Sequence, residues 1–243
     1  MQNTSYVGIS RLNALSRQME VVANNIANAD TTSFKGERVM FSEYVQKIGR
    51  GDKVAFVQDQ ATVMNFSEGN MTFTGNDTDL AIQGKGFFAL NTPAGERYTR
   101  SGNFRVGIDN KLISLNGDEV LDERREPIIL PNSYNEITIT KGGAVVVDGT
   151  EIAKLGVISF PNEQALNKTQ NGMYRYSGPT PDMDKPENTQ LLQGALEGSN
   201  VNSIAEMTKM IKIQRAFEGT HKLMEQEHER MRRAMQVYGK TGQ

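Results

Sequence analysis

Both ends of the chain carry apolar residues spaced by alternating threes and fours, and the long stretch between them does not. At the carboxyl end Met207, Met210, Gln214, Phe217, His221, Met224, His228, Met231, Met235 and Tyr238 keep this step, and at the amino end Leu12, Leu15, Met19, Val22 and Ile26 keep it too. Residues three and four apart share one face of a helix, and a stripe repeating in heptads is the seam of a coiled coil. A helix alone in water leaves such a stripe wet and gains little from propensity. The pattern therefore predicts two terminal helices that pack on each other and on neighbouring molecules. Residues 5–28 read as the first helix, stopped by Asp30-Thr31-Thr32-Ser33, whose side chains compete for backbone hydrogen bonds. Ser203 with Glu206 three residues later reads as a capping box that starts the second helix.

Between the helices the signals are those of strands and turns. Leu80-Ala81-Ile82, Phe87-Phe88-Ala89-Leu90, Ile128-Ile129-Leu130, Ile137-Thr138-Ile139 and Val157-Ile158-Ser159-Phe160 are short apolar runs bounded by turn residues. Asp148-Gly149 between Val145-Val146-Val147 and Thr150-Glu151-Ile152 predicts a two-residue hairpin, because Asp-Gly accepts positive φ. Asp109-Asn110 and Asn116-Gly117 mark two further turns. Pro179, Pro181 and Pro186 break any regular element in the return path. The expected fold is α+β: discontinuous N- and C-terminal coiled-coil helices (1–30 with 200–243) as a stem, an extended connector (31–75 with 177–199), and a central, mainly antiparallel β domain (76–176).

The residue types present narrow the chemistry. Cysteine is absent, which removes disulfides, thiolate metal sites and thiol nucleophiles. His221 and His228 are the only histidines, and seven residues separate them by ~10.5 Å along a helix, too far to share one metal. They read instead as polar register-setting positions in the seam. Gly84-Lys85-Gly86 lies between strands with no helix after it, so it reads as a tight turn and not a phosphate loop. The acidic pairs Asp77/Asp79 and Asp182/Asp184 read as turn residues. Residues 201–243 hold 8 basic against 5 acidic side chains, an excess too small and too interleaved to predict nucleic-acid binding. The first 25 residues carry Arg11, Arg17 and Glu20 within the apolar pattern and so form neither a secretory signal nor a membrane span. No catalytic residue, cofactor, metal or small-molecule substrate is expected. The rival reading is a β-domain enzyme or ligand-binding protein with coiled-coil tails, which would show a deep polar pocket with perturbed carboxylates.

Several motifs recur in a fixed order. Val21-Val22-Ala23-Asn24-Asn25-Ile26-Ala27-Asn28 runs on to Thr31-Thr32-Ser33-Phe34-Lys35-Gly36. Asp79-Leu80-Ala81-Ile82-Gln83-Gly84-Lys85-Gly86-Phe87-Phe88 and Tyr98-Thr99-Arg100-Ser101-Gly102-Asn103-Phe104 follow, then Leu196-Glu197-Gly198-Ser199-Asn200-Val201-Asn202 and Ile213-Gln214-Arg215-Ala216-Phe217. Together these resemble the bacterial flagellar rod and hook proteins over nearly the whole chain. Its short length and the run Glu37–Tyr44 resemble the proximal-rod branch more than the distal-rod branch, the alternative. Ser33 stands where the family commonly has glycine, and Asn76-Asp77-Thr78-Asp79 replaces a usual proline. The resemblance implies a structural axial protein of the flagellar basal body, in the rod that spans the periplasm. It implies export by the flagellar export apparatus without a cleaved signal peptide, other rod proteins as partners, and terminal helices packed around the export channel.

Overall fold

The structure, a computed structural model, describes residues 2–48, 52–179 and 188–240. Pro181, Asp182, Asp184 and Pro186 lie outside the described residues, as does the side chain of Tyr238. In chain order the elements are α1 (Gln2–Ala27), β1 (Glu37–Ile48), β2 (Asp52–Met64), β3 (Met71–Phe73), β4 (Leu80–Gln83), β5 (Phe87–Thr92), β6 (Gly95–Thr99), β7 (Phe104–Val106), β8 (Leu112–Ser114), β9 (Glu119–Val120), β10 (Ile137–Ile139), β11 (Ala144–Val147), β12 (Thr150–Lys154), β13 (Val157–Ile158), β14 (Leu166–Lys168), β15 (Met173–Tyr176), β16 (Gln190–Gln193), β17 (Ala195–Glu197) and α2 (Ser203–Lys240). The chain divides into two units: Met1–Ala29, Gly36–Asn65 and Val201–Gln243 form the first, Asp30–Lys35 and Phe66–Asn200 the second.

In the first unit α1 packs along α2, and both strands of the β1–β2 hairpin lie against α1. The hairpin pairs Glu37 with Met64 at its base and Ile48 with Asp52 at its far end, with a register shift between Met40 and Phe41. No described helix is long and apolar enough to cross a membrane.

The second unit is antiparallel throughout. Its largest sheet runs β14-β15-β6-β5-β9-β8-β7 with β13 added to β5, and β10-β11-β12, β16–β4 and β17–β3 complete the unit. Adjacent residues of a strand face opposite sides, and the Phe87-Phe88 pair of β5 uses both. Phe88 joins the aliphatic core of Leu80, Ile82, Leu90, Val120, Ile128 and Leu191. Phe87 meets an aromatic cluster edge-on, with centroids 5.7 Å from Phe66, 5.6 Å from Phe160 and 5.7 Å from Tyr174. A strand covered on both faces explains why residues 87–90 form an unbroken apolar run.

The turns follow their chemistry. Asp148 (φ 48°) and Gly149 (φ 82°) join β11 to β12 with Val147 opposite Thr150, as a type I′ turn requires. Asn110 and Gly117 also take positive φ. One strand expectation is corrected: Ile128-Ile129-Leu130 makes only an isolated bridge, Ile129 to Lys111, with Pro127 and Pro131 on either side. Prolines lack the N–H that a ladder needs, so the segment is held by alternating bonds, Ile128 to Val120 O and Leu130 to Asn110 O, with Ile128 and Leu130 buried.

Candidate assembly helices and a buried ion cluster

The two terminal helices run antiparallel. A Cβ on Gly8 would lie 2.1 Å from the Met224 sulfur, and Asn25 Nδ2 donates to Glu206 Oε2 at 3.4 Å, so positions advance in opposite directions along the pair. Glycine at position 8 lets the backbones approach where Met224 fills the gap. At this pairing Gln2 faces roughly residue 230, and the last ~10 residues of α2 extend past the start of α1. The cap of α2 differs from the expected capping box. Asn202 is the N-cap, its Oδ1 accepting Ala205 N–H at 3.0 Å and its carbonyl accepting Glu206 N–H. That frame frees the Glu206 carboxylate to meet Asn25 and Lys209.

On α1, Leu12, Leu15, Met19 and Ile26 are half-buried and Val22 is buried. The α2 stripe is divided. Met210, Phe217, Met224 and Met231 are half-buried, whereas Met207, Gln214, His221, His228 and Met235 are exposed. The covered face instead runs Glu206, Met210, Ile213, Phe217, Thr220, Met224, Glu227, Met231, one residue earlier at every second step. His221 Nδ1 lies 3.6 Å from Glu225 Oε1 on the exposed side. Among the described residues no group of three or more His, Cys, Asp or Glu side chains could hold a metal.

The signature residues divide by task. Asn25 is buried and pairs with the Glu37 backbone in both directions: Nδ2 donates to Glu37 O at 2.8 Å and Glu37 N–H donates to Oδ1 at 2.9 Å. One amide side chain thereby ties α1 to the start of β1. Asn28 Nδ2 closes the end of α1 on Asn24 O at 2.9 Å. Ala23, Asn24, Ala27, Gln214 and Arg215 are exposed, Ala216 half-buried. Ser199 and Val201 are half-buried, and Asn200 Nδ2 donates to Ser67 O at 3.0 Å. Phe34 is buried, with the Lys168 ammonium 4.4 Å over its ring.

Sequence reasoning missed the ion cluster at the heart of the second unit. Glu197, with no exposed side-chain surface, accepts from Lys35 Nζ at 2.7 Å and from Gly69 N–H at 2.9 Å on Oε1, and from Arg100 Nε at 2.8 Å on Oε2. Lys35 Nζ also donates to Ser67 O at 2.7 Å. Arg100 directs three further donors onto β4 and the turn after it: Ile82 O at 3.1 Å, Gly84 O at 3.0 Å and Gly86 O at 3.1 Å. That explains the Gly-Lys-Gly turn, where Gly84 (φ 105°) and Gly86 (φ 138°) turn their carbonyls onto a guanidinium. Ser33, in the left-handed region at φ 56°, donates from Oγ to Arg100 O at 2.9 Å, a local compensation that glycine could not supply. Burial pushes the Lys35 ammonium below the ordinary lysine range, against the pull of Glu197. The one signal available in sequence was three charged residues inside otherwise apolar or glycine-rich motifs.

Known families match the same segments. Residues 6–35 match the family described as flagella basal body rod protein, 81–147 the flagellar hook protein FlgE/F/G D1 domain, and 192–237 the flagellar basal body rod FlgEFG protein C-terminal. Lys35, Arg100 and Glu197 fall one in each. The flagellar basal-body rod protein FlgF of Caulobacter vibrioides is 37% identical over 247 residues, covering 99% of both chains. FlgF of Mesorhizobium japonicum is 36% identical over 93% of both, and FlgG of Bacillus subtilis 30% identical over 92% of this chain and 94% of its own. With both terminal helices, the motifs around the ion cluster and an end-to-end likeness all pointing one way, the chain belongs to the flagellar basal-body rod proteins, in the FlgF-like branch.

Proposed function

We propose that this structural subunit of the flagellar rod builds its part of a tubular drive shaft with α1 and α2, which pack in coiled-coil fashion against the helices of neighbouring rod proteins, FlgG-like ones included, around the export channel. The observation that carries this reading is the division of the α2 stripe. One set of apolar residues is used on α1, and a second set, Ile204, Met207, Ile211 and Met235, is left 51–77% exposed on the same helix. Ile204, Met207 and Ile211 share one helix face at three- and four-residue spacing, and an exposed apolar patch of this kind marks a site of association. Methionine adapts to partners of slightly different shape, which suits a junction between related but unequal subunits. The chain reaches the periplasm through the flagellar export apparatus without a cleaved signal peptide, takes no small-molecule substrate and has no catalytic role.

The test is Met207→Asp or Ile211→Asp. A carboxylate on this exposed set leaves the α1–α2 packing in place and is costly to desolvate against a neighbouring helix. Tyrosine near-UV circular dichroism should stay native for the β unit while the variant is missing from purified basal bodies and the cells lose motility. Incorporation at the wild-type level with normal swimming would overturn the assignment.

A further inference from the structure

Two of the sequence motifs contain residues that the fold itself does not use. In residues 31–35, Ser33 bonds Arg100 O, Phe34 is buried and Lys35 enters the ion cluster. In residues 98–104, Tyr98 and Phe104 are buried, Arg100 bonds Glu197 and the turn after β4, and a Cβ on Gly102 would stand 1.8 Å from Leu80 O. Thr32, Ser101 and Asn103 remain. All three line one concavity of about 340 Å³, closed by the turns that carry Asn116 and Asn171.

No charged residue lines this concavity, although 23% of the chain is charged. The concavity at β7–β8 carries Lys111 and Glu119, and the one beside the start of α2 carries Lys209 and Glu206. Its walls are fixed from within. Thr99 Oγ1 donates to Gly172 O at 3.3 Å and accepts Ser101 N–H at 3.0 Å, and Ser114 Oγ accepts Asn116 N–H at 3.2 Å. The side chains of Thr32, Ser101, Asn103, Asn116 and Asn171, by contrast, make no hydrogen bond among the described residues. Hydroxyls and carboxamides each donate and accept. Leu115, 60% exposed, and the half-buried Met173 give the concavity one apolar side.

The usual ways of holding a peptide are closed here. Leu90, Thr99 and Ser114 lie on β5, β6 and β8, each flanked by two strands in the sheet, so no strand edge is open to a main chain. An amphipathic helix needs an apolar floor, a proline-rich segment an aromatic lining, and an acidic motif a cluster of cations, and this lining has none of the three. A ligand that matches it is neutral, carries many groups that both donate and accept, and has an apolar side of its own. We propose that this concavity binds a neutral glycan, with the sugar hydroxyls paired to Ser101, Asn103 and Asn171 and a C–H face of the ring against Leu115 and Met173. The glycan is held and not cleaved, since hydrolysis of a glycosidic bond takes a pair of carboxyl groups and none lines the site. All lining residues belong to the second unit, so the contact draws on no residue of the terminal helices.

Saturation-transfer difference NMR on the full-length protein tests this with chitotetraose and cellotetraose as neutral probes and tetragalacturonate as the charged one. At least one neutral tetrasaccharide should bind, and tetragalacturonate should not. Asn103→Ala and Asn171→Gly should each weaken binding about tenfold, as expected for one lost hydrogen bond. Glycine keeps the left-handed turn that Asn171 makes at φ 60°, and tyrosine near-UV circular dichroism confirms that both variants are folded. Failure of both neutral probes to bind at millimolar concentration, equal binding of the charged probe, or binding unchanged in both variants would overturn the proposal. So would variants that bind sugar no differently from the wild type but are missing from basal bodies, which would give the concavity to a neighbouring subunit instead.

Discussion

Removing the buried carboxylate Glu197 should cost the β unit far more than removing the buried ammonium Lys35, although the two form a single ion pair of 2.7 Å. The cluster holds two cations and one anion. Glu197→Gln leaves Lys35 and Arg100 buried together with no counter-charge, and breaking a buried pair in this way costs about 3–5 kcal/mol. Lys35→Met leaves Glu197 still bonded to Arg100 Nε at 2.8 Å and to Gly69 N–H at 2.9 Å. The Ser67 carbonyl vacated by Lys35 keeps Asn200 Nδ2 at 3.0 Å. Methionine fills much of the lysine volume and removes a charge whose burial is unfavourable, so the cost should be about 1 kcal/mol or less. In a domain of this size the difference amounts to roughly 5–15 °C in Tm. Urea unfolding followed by tyrosine near-UV circular dichroism measures both variants, since the chain has 7 tyrosines and no tryptophan. A pH series adds a signed check. The unfolded chain holds the Lys35 proton up to the ordinary lysine range and the folded chain releases it earlier, so this group makes stability rise with pH between those two values. That rise should be absent in Lys35→Met. A Lys35→Met variant as unstable as Glu197→Gln would refute the charge-balance argument.

Three further outcomes are expected. Burial, and next the Glu96 carboxylate, push the Tyr98 phenol up to about 12; between pH 10 and 12 the unfolded chain loses this proton while the folded chain keeps it, so stability should fall by roughly 2–3 kcal/mol across that window, and Tyr98→Phe should remove that part of the fall in alkaline urea titrations. Ser33→Gly should be close to neutral, since relief of the left-handed backbone offsets the lost bond to Arg100 O, whereas Ser33→Ala should destabilise by about 1–2 kcal/mol in the same unfolding assay. In the helices, Gly8→Ala places a methyl against Met224 and should lower the melting temperature of the helical signal at 222 nm, while Gly219→Ala, with open space around its Cβ, should raise helix stability by up to about 1 kcal/mol.

The sequence by itself determined what depends on neighbours a few residues away. Helical stripes, the Asp148-Gly149 hairpin and the break after α1 follow from periodicity, positive-φ tolerance and side-chain competition for the backbone, all local in origin. The strand reading of Ile128–Leu130 missed because periodicity takes no account of the prolines on either side. Only tertiary structure decided which α2 stripe faces inward. Spacings of three and four are satisfied equally by Met207, Gln214, His221 and His228 or by Glu206, Ile213, Thr220 and Glu227, one residue away; the choice fell to α1, where Gly8 admits Met224 and Asn25 meets Glu206. The ion cluster was beyond local reading for the same reason. Lys35 and Glu197 are 162 residues apart and Arg100 and Glu197 97 apart, and each charge looks like an ordinary surface residue until the fold removes water from all three at once.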